Sequence, residues 1–291
     1  MMKKIVNRLI QSRWAIGFVR DGMDSVMNSD HIECDWVKMP KDRWFADPFV
    51  LDVTEKEILL LVEDYPYATR KGIISLLHID RTTFEIKARK ELLELPTHLS
   101  FPAIWRKDGH IYVYPESAKS GKLDMYEYRS ETEELAFVKT ICDDVVWDSY
   151  ITEAFDEPLM FTAAHDDDQL DIYRWNDKKK RFVPEFVVLS DKPNSRLGGA
   201  VFEYKGEYYY PAQDCSRSYG GSIDIKRIKV ESGEWKVESV KHLESPHPKY
   251  RAGFHTLNEY RNFVVVDVKG NRYGRLGAII NKMGKMLKRM T

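Results

Sequence analysis

Three acids, Asp47, Glu116 and Asp148, and a wider set of polar and aromatic residues, Trp44, Glu63, His98, Arg196, Gln213, Asp214 and His255, are the side chains of this 291-residue sequence best placed to do chemistry. They are far apart along the chain, yet each stands at one end of a short apolar segment. Carboxyl groups facing one another across a pocket suit glycoside chemistry. One acid must protonate the glycosidic oxygen while another acts as base or nucleophile, and a separation of about 5–5.5 Å or about 6.5–9.5 Å selects retention or inversion. Aromatic side chains such as Trp44, Tyr114, Trp147 and Tyr210 supply flat faces for the C–H surface of a sugar ring. Pro48 limits the backbone of Asp47 to extended conformations and so helps to aim its carboxylate.

Plainer readings stand beside these. Asp47 or Asp148 could cap a turn, Asp267 could pair with Arg272, and His165 to Asp168 could form a solvated loop tip. Asp166, Asp167 and Asp168 lack the glycine and the downstream glutamate of an EF-hand loop, so no metal is expected there, and no cofactor is expected elsewhere.

The elements that must bring these residues together recur. An apolar strand, a turn and a second apolar-aromatic strand begin near residues 48, 102, 150, 199 and 255, giving steps of 54, 48, 49 and 56 residues. That is the spacing of four-stranded propeller blades. The fourth of these starts is Gly199-Ala200-Val201-Phe202. Third strands such as Leu123–Tyr128 and Leu170–Trp175 alternate in the two-residue period of a sheet. The last unit holds only two strands, and its missing pair is available in Trp14–Val19 and Cys34–Val37. The sequence therefore predicts an all-β, five-bladed propeller over residues 14–271, closed by N-terminal strands in the last blade. In such a ring the starts of the innermost strands (Asp47, His98, Asp148, Arg196, His255) meet the ends of their neighbours (Glu63, Glu116, His165, Gln213, Asp214, Asp267) at one mouth of the channel. A β-sandwich is the alternative, but its strand rhythm is shorter.

Charge is segregated. The net charge is −1, but ten of the 45 basic residues lie in 1–13 and 272–291, where there is no acid, which leaves 35 against 46 and a body of −11. Residues 272–291 carry apolar positions at helical spacing, among them Ile279, Ile280, Met283, Met286 and Leu287, and form a basic amphipathic helix with residues 1–13 as a shorter counterpart. Both ends are expected to meet an anionic membrane surface, or else to pack on the propeller or on a second subunit. The body has no basic patch with interleaved aromatics, which argues against nucleic acid. Cys34, Cys142 and Cys215 are widely spaced, with no metal-ligand pattern, and the start has no signal-peptide apolar core. A cytoplasmic location, peripheral on the inner face of the membrane, is the expectation.

Asp47-Pro48 at the first inner strand resembles the five-bladed arabinanase, levansucrase and invertase glycosidases. Six ordered motifs are more specific: Trp44-Phe45-Ala46-Asp47-Pro48-Phe49, His98-Leu99-Ser100-Phe101-Pro102, Tyr114-Pro115-Glu116-Ser117, Arg196-Leu197-Gly198-Gly199, Pro211-Ala212-Gln213-Asp214-Cys215 with Tyr219-Gly220, and His255-Thr256. Together they resemble the N-terminal propeller domain of plant glucosamine inositolphosphorylceramide transferases, and related domains accompany bacterial surface-polysaccharide enzymes. The resemblance implies a propeller acting on a glycan or on a nucleotide- or lipid-linked sugar, with Asp47 as base or nucleophile, Asp148 matching the second acid, Glu116 as proton donor and the other residues positioning the sugar. It equally implies a non-catalytic carbohydrate-binding or scaffold module beside a glycosyltransferase partner. One departure is informative. The glycosidases place a glutamic acid at the fourth inner strand, where this chain has Arg196, a residue suited to phosphate, a sugar diphosphate or an acidic sugar.

Overall fold

The computed structural model describes residues 12–163, 169–189 and 196–271. The chain opens with β1 (Ser12–Val19), a short helix α1 (Gly22–Asn28) and β2 (Cys34–Trp36). Four complete blades follow. They are β3 (Arg43–Val53) to β6 (Ile86–Leu93) through β4 (Glu57–Pro66) and β5 (Ile73–Asp80), then β7 (Ser100–Lys107) to β10 (Glu134–Cys142) through β8 (His110–Glu116) and β9 (Leu123–Arg129). The next two are β11 (Trp147–Phe155), β12 (Glu157–Ala163), β13 (Gln169–Asn176), β14 (Arg181–Leu189), and β15 (Phe202–Tyr204), β16 (Glu207–Asp214), β17 (Ser222–Glu231), β18 (Glu234–Leu243). β19 (Gly253–Tyr260) and β20 (Phe263–Asn271) begin the fifth, which β1 and β2 complete in the order β19-β20-β1-β2. β1 lies antiparallel to β20 from Ser12 opposite Asn271 to Val19 opposite Val264, so the first strand covers an edge that would otherwise be open.

Both faces of each blade are apolar because each is clamped between neighbours. Along β4, Ile58, Leu60 and Val62 pack with Ile16, Phe18 and Val265 of the fifth blade, whereas Leu61 joins Phe101 and Ala103 of the second. This is the two-residue period of a strand used on both sides. Each such side chain, fully buried, contributes about 1.5–3 kcal/mol.

Several expectations need correction. Tyr114 and Tyr210, read as pocket aromatics, are fully buried in the core, and Tyr114 Oη accepts the Ile151 N–H at 2.8 Å. The fourth inner strand starts at Phe202, not at Gly199, because the chain before it bonds to the next blade: Leu257 N–H donates to Gly198 O at 2.8 Å and Ala200 N–H to Asn258 Oδ1 at 2.7 Å. Glycine is required there, since a Cβ on Gly199 would stand 2.0 Å from Leu257 O. The helix α1 gave no periodic signal in so short a segment, and it is held by Val26 in the core and by Tyr204 Oη donating to Asp24. The expected C-terminal helix over 272–291, the basic residues 1–11 and His165 lie outside the described residues.

Candidate functional site

The inner strands carry the site because they are irregular at equivalent points. Their register breaks between Ala46 and Phe49, Ser100 and Pro102, Trp147 and Tyr150, and Phe254 and Thr256. Such bulges re-aim a side chain at the rim of a sheet. Asp47, Phe101 and Asp148 sit inside them at φ 49°, 42° and 48°. Asp47 is thus left-handed, not in the extended region that Pro48 favours, a conformation costing a non-glycine residue on the order of 1 kcal/mol. Two acids of second strands, and Asp47 itself, hold these bulges. Asp267 Oδ2 accepts the Asp47 N–H at 2.9 Å, Glu116 Oε2 accepts the Asp148 N–H at 2.9 Å, and Asp47 Oδ2 accepts the Phe101 N–H at 3.0 Å.

Three charged groupings result. In the first, His255 Nδ1 lies 3.0 Å from Asp47 Oδ1 and 3.4 Å from Asp267 Oδ2, and its Nε2 is 3.1 Å from Tyr219 Oη. Of the two Nδ1 contacts only that to Asp267 is aligned as a hydrogen bond, so Asp47 Oδ1 meets the ring by charge and not by a directed N–H. In the second, His98 Nε2 lies 3.2 Å from Glu63 Oε1, while His98 Nδ1 accepts the Gly72 N–H at 2.8 Å, which puts the proton of a neutral ring on the nitrogen facing Glu63. A Cβ on Gly72 would lie 2.3 Å from Leu99 O and 2.8 Å from Glu63 Oε1, so the close approach depends on glycine. In the third, Arg196 Nε donates to Asp148 Oδ2, its Nη2 is 3.9 Å from Glu116, and Gln213 Nε2 donates to Asp148 Oδ2 at 2.8 Å. Gln213 Oε1 is buried and receives no hydrogen bond among the described residues. Tyr219 links the first and third groupings, with the Arg196 guanidinium 5.5 Å from its ring centre.

Burial sets the protonation. Glu116 is held well above the usual carboxylate range by burial and then by the Asp148 charge, against the pull of Arg196. Burial, aided by Asp47, pushes Glu63 up to about 7 although His98 opposes it. Burial alone would push His255 down, but Tyr219, Asp267 and Asp47 outweigh it and hold the imidazole well above its ordinary value. Because burial also keeps the Tyr219 phenol high and therefore neutral, the two carboxylates are the effective cause.

The structure thus brings together Asp47, Glu63, His98, Glu116, Asp148, Arg196, Gln213 and His255. Trp44 stands beside them, stacked on Tyr65 at 4.5 Å. Asp214 does not join them, because its carboxylate caps a turn by accepting the Ser216 N–H at 2.9 Å. Two residues escaped the choice of site side chains. Tyr219, 48% exposed, offers an open ring face while its hydroxyl reaches His255. Trp14, on β1, packs 4.8 Å from the His255 ring. Tyr219 stood in a recognisable motif, whereas Trp14 was legible only as a strand residue. Asp47, His255 and Asp267 offer ligand atoms within 4.8 Å of one another, as do Asp214, Asp224 and His242. These trios are where the described residues could hold a cation.

A five-bladed propeller with acids and aromatics around one mouth defines the class. The chain matches the family described as "Glucosamine inositolphosphorylceramide transferase 1, N-terminal" over residues 32–269, and it belongs to that family. Glucosamine inositolphosphorylceramide transferase 1 of Oryza sativa subsp. japonica is 28% identical over 214 residues, covering 67% of this chain and 28% of the relative. The Arabidopsis thaliana protein of that name is 27% identical over 207 residues, covering 66% and 26%. The chain therefore spans little more than a quarter of the curated relatives it matches. Among solved structures, a β-xylosidase/α-arabinofuranosidase from a compost microbial metagenome superposes with a TM-score of 0.55 at 14% identity, covering 80% of this chain and 93% of that one. An α-L-arabinofuranosidase from Clostridium thermocellum superposes with a TM-score of 0.52 at 13% identity, covering 74% and 82%. At such identities the likeness establishes the shared propeller fold.

Proposed function

We propose that this propeller binds, without cutting, a sugar of a glycan or activated-sugar precursor, as a carbohydrate-binding module beside a glycosyltransferase in surface-polysaccharide or glycolipid assembly. One observation carries the reading. Arg196 lies on the segment leading into the fourth inner strand and pairs with Asp148, so that acid is committed to a cation. The carboxylate of Asp47 is likewise engaged by the Phe101 N–H and by His255. What remains open to a ligand is the exposed face of Tyr219. The curated relatives bear the name of a transferase and extend far beyond the matched part, which supports a module working next to a transferring domain.

Turnover is the second reading, favoured by Glu116 and Glu63, two acids that burial holds above the usual carboxylate range as a proton donor requires. Titration of the wild type and Asp47→Asn with nucleotide sugars and glycans, followed by product analysis, separates the two. Binding in both proteins with product in neither supports the module. Product from wild type alone supports Asp47 as base or nucleophile. We place the module at the inner face of the membrane through its basic ends, and equal binding of full-length and 1–271 protein to anionic liposomes would refute a role for the C-terminal segment.

A further inference from the structure

A cavity lies beside the axial residues. It measures about 580 Å³ and lies between the first two blades, lined by Tyr65, Arg70, Lys71, His98, Glu116 and Lys119 among others. His98 and Glu116 belong to both spaces, since His98 also touches Glu63 and Glu116 also touches Asp148. Two of the three lining cations are uncommitted. Lys71 is paired with Glu94 at 2.8 Å and donates to Leu95 O, whereas the exposed Arg70 and Lys119 side chains have no ion partner among the described residues.

The turns that carry these cations are tied together. Gly72 donates to His98 Nδ1, Leu99 N–H donates to Gly72 O at 3.0 Å, and Thr97 Oγ1 meets Ser117 Oγ at 2.8 Å. Arg70 and Lys119 are therefore set on opposite turns of a stapled cleft, with Tyr65, backed by the Trp44 ring it stacks on, in its lining. Paired cations on fixed backbone, next to a pocket suited to a sugar, are what a phosphate attached to that sugar requires.

We propose that this cleft is the subsite for the phosphate or diphosphate of a phosphorylated sugar, held by Arg70 and Lys119 while the sugar occupies the axial pocket. The assignment rests on the sugar-binding reading above. Burial holds the Glu116 carboxyl in that wall well above the usual carboxylate range, which lessens its repulsion of an anion.

The test is calorimetric titration of the full chain with inorganic pyrophosphate, hexose 1-phosphates, the matching methyl hexosides, a nucleoside diphosphate sugar and a short-chain lipid diphosphate sugar. The same titrations are run on Arg70→Gln/Lys119→Gln, whose fold is checked by circular dichroism. The double variant is expected to weaken every phosphate-bearing probe about tenfold or more, to flatten the salt dependence, and to leave methyl hexosides unchanged. Tighter binding of the nucleotide or of the lipid diphosphate sugar names the source of the phosphate. Phosphate probes bound equally by both proteins, or no better than methyl hexosides, overturn the subsite while leaving sugar binding intact. Pyrophosphate binding lost in the double variant, with no sugar bound by either protein, keeps the anion site and refutes the sugar reading.

Discussion

Glu63→Gln should make the protein more stable at neutral pH and leave it unchanged in mild acid. In the fold, burial raises this carboxyl from its ordinary 4.5 to about 7, so the folded chain holds the proton more tightly than the unfolded one. Below the unfolded value both states are protonated and Glu63 contributes no pH dependence. As the pH climbs from about 4.5 to about 7 the unfolded chain releases its proton while the fold retains it. Stability then falls by a total of ~3 kcal/mol and levels off above. With its side chain 8% exposed, Glu63 is little screened by solvent. Glutamine keeps the carbonyl that accepts the His98 N–H and cannot ionise. Urea unfolding of both proteins at intervals from about pH 4.5 to 8.5 gives the difference directly. The variant should gain up to ~3 kcal/mol over that range. A flat difference would show a carboxyl that folding leaves unperturbed, and a variant losing ground as pH rises would show a stabilised carboxylate paired with a cationic His98; under either result the reasoning from burial would fail.

Arg196→Met should cost about 3–5 kcal/mol by leaving Asp148 buried without its cation, and Asp148→Asn in the same chain should restore much of it; a loss under about 1 kcal/mol in chemical unfolding would contradict the pairing. His255→Leu removes the cation between Asp47 and Asp267 and should destabilise by a similar amount, again about 3–5 kcal/mol. Because the folded imidazole is raised, its contribution is complete below the unfolded value of 6.5 and is lost as pH rises through the folded one, so the penalty should shrink in alkaline urea titrations. Gly72→Ala forces a Cβ to 2.3 Å from Leu99 O and should cost about 1–3 kcal/mol in thermal unfolding; nitrogen-15 shifts of His98 should report a ring no longer held in one tautomer.

The ring was legible in the sequence because the repeat is written in apolar strands, which burial between blades demands on both faces. The closure by β1 followed from counting, since a two-strand last unit leaves an edge that must be covered. The gathering of Asp47, Glu116, Asp148, Arg196 and His255 followed from their common place in the repeat. The connections among them did not. Nothing in the run from Arg196 to Gly199 says that Arg196 turns to Asp148 while the next residues bond to the fifth blade; that depends on how closely two glycines let the strands approach. Tyr114 and Tyr210 misled because a blade's interior and its pocket wall use the same residue types, and one residue of alternation separates them. Asp214 misled because it follows Gln213 directly, and adjacent strand positions face opposite ways.

The hub is best understood by its charges. Asp47, Asp148 and Asp267 face Arg196 and His255, and if Glu63 and Glu116 were also ionised five buried negative charges would surround two positive ones. Burying unpaired charge is among the costliest arrangements a fold can contain. Here the excess is removed by protons, which is what the raised values of Glu63 and Glu116 amount to. A glycosidase needs one such acid opposite a free carboxylate. In this chain Asp47 and Asp148 lie against His255 and Arg196, and it is Glu63 and Glu116 whose carboxyls burial holds above the usual range. That arrangement follows from the arginine just before the fourth inner strand: Arg196 pairs with Asp148, and burial beside that carboxylate holds the Glu116 carboxyl well above the usual range.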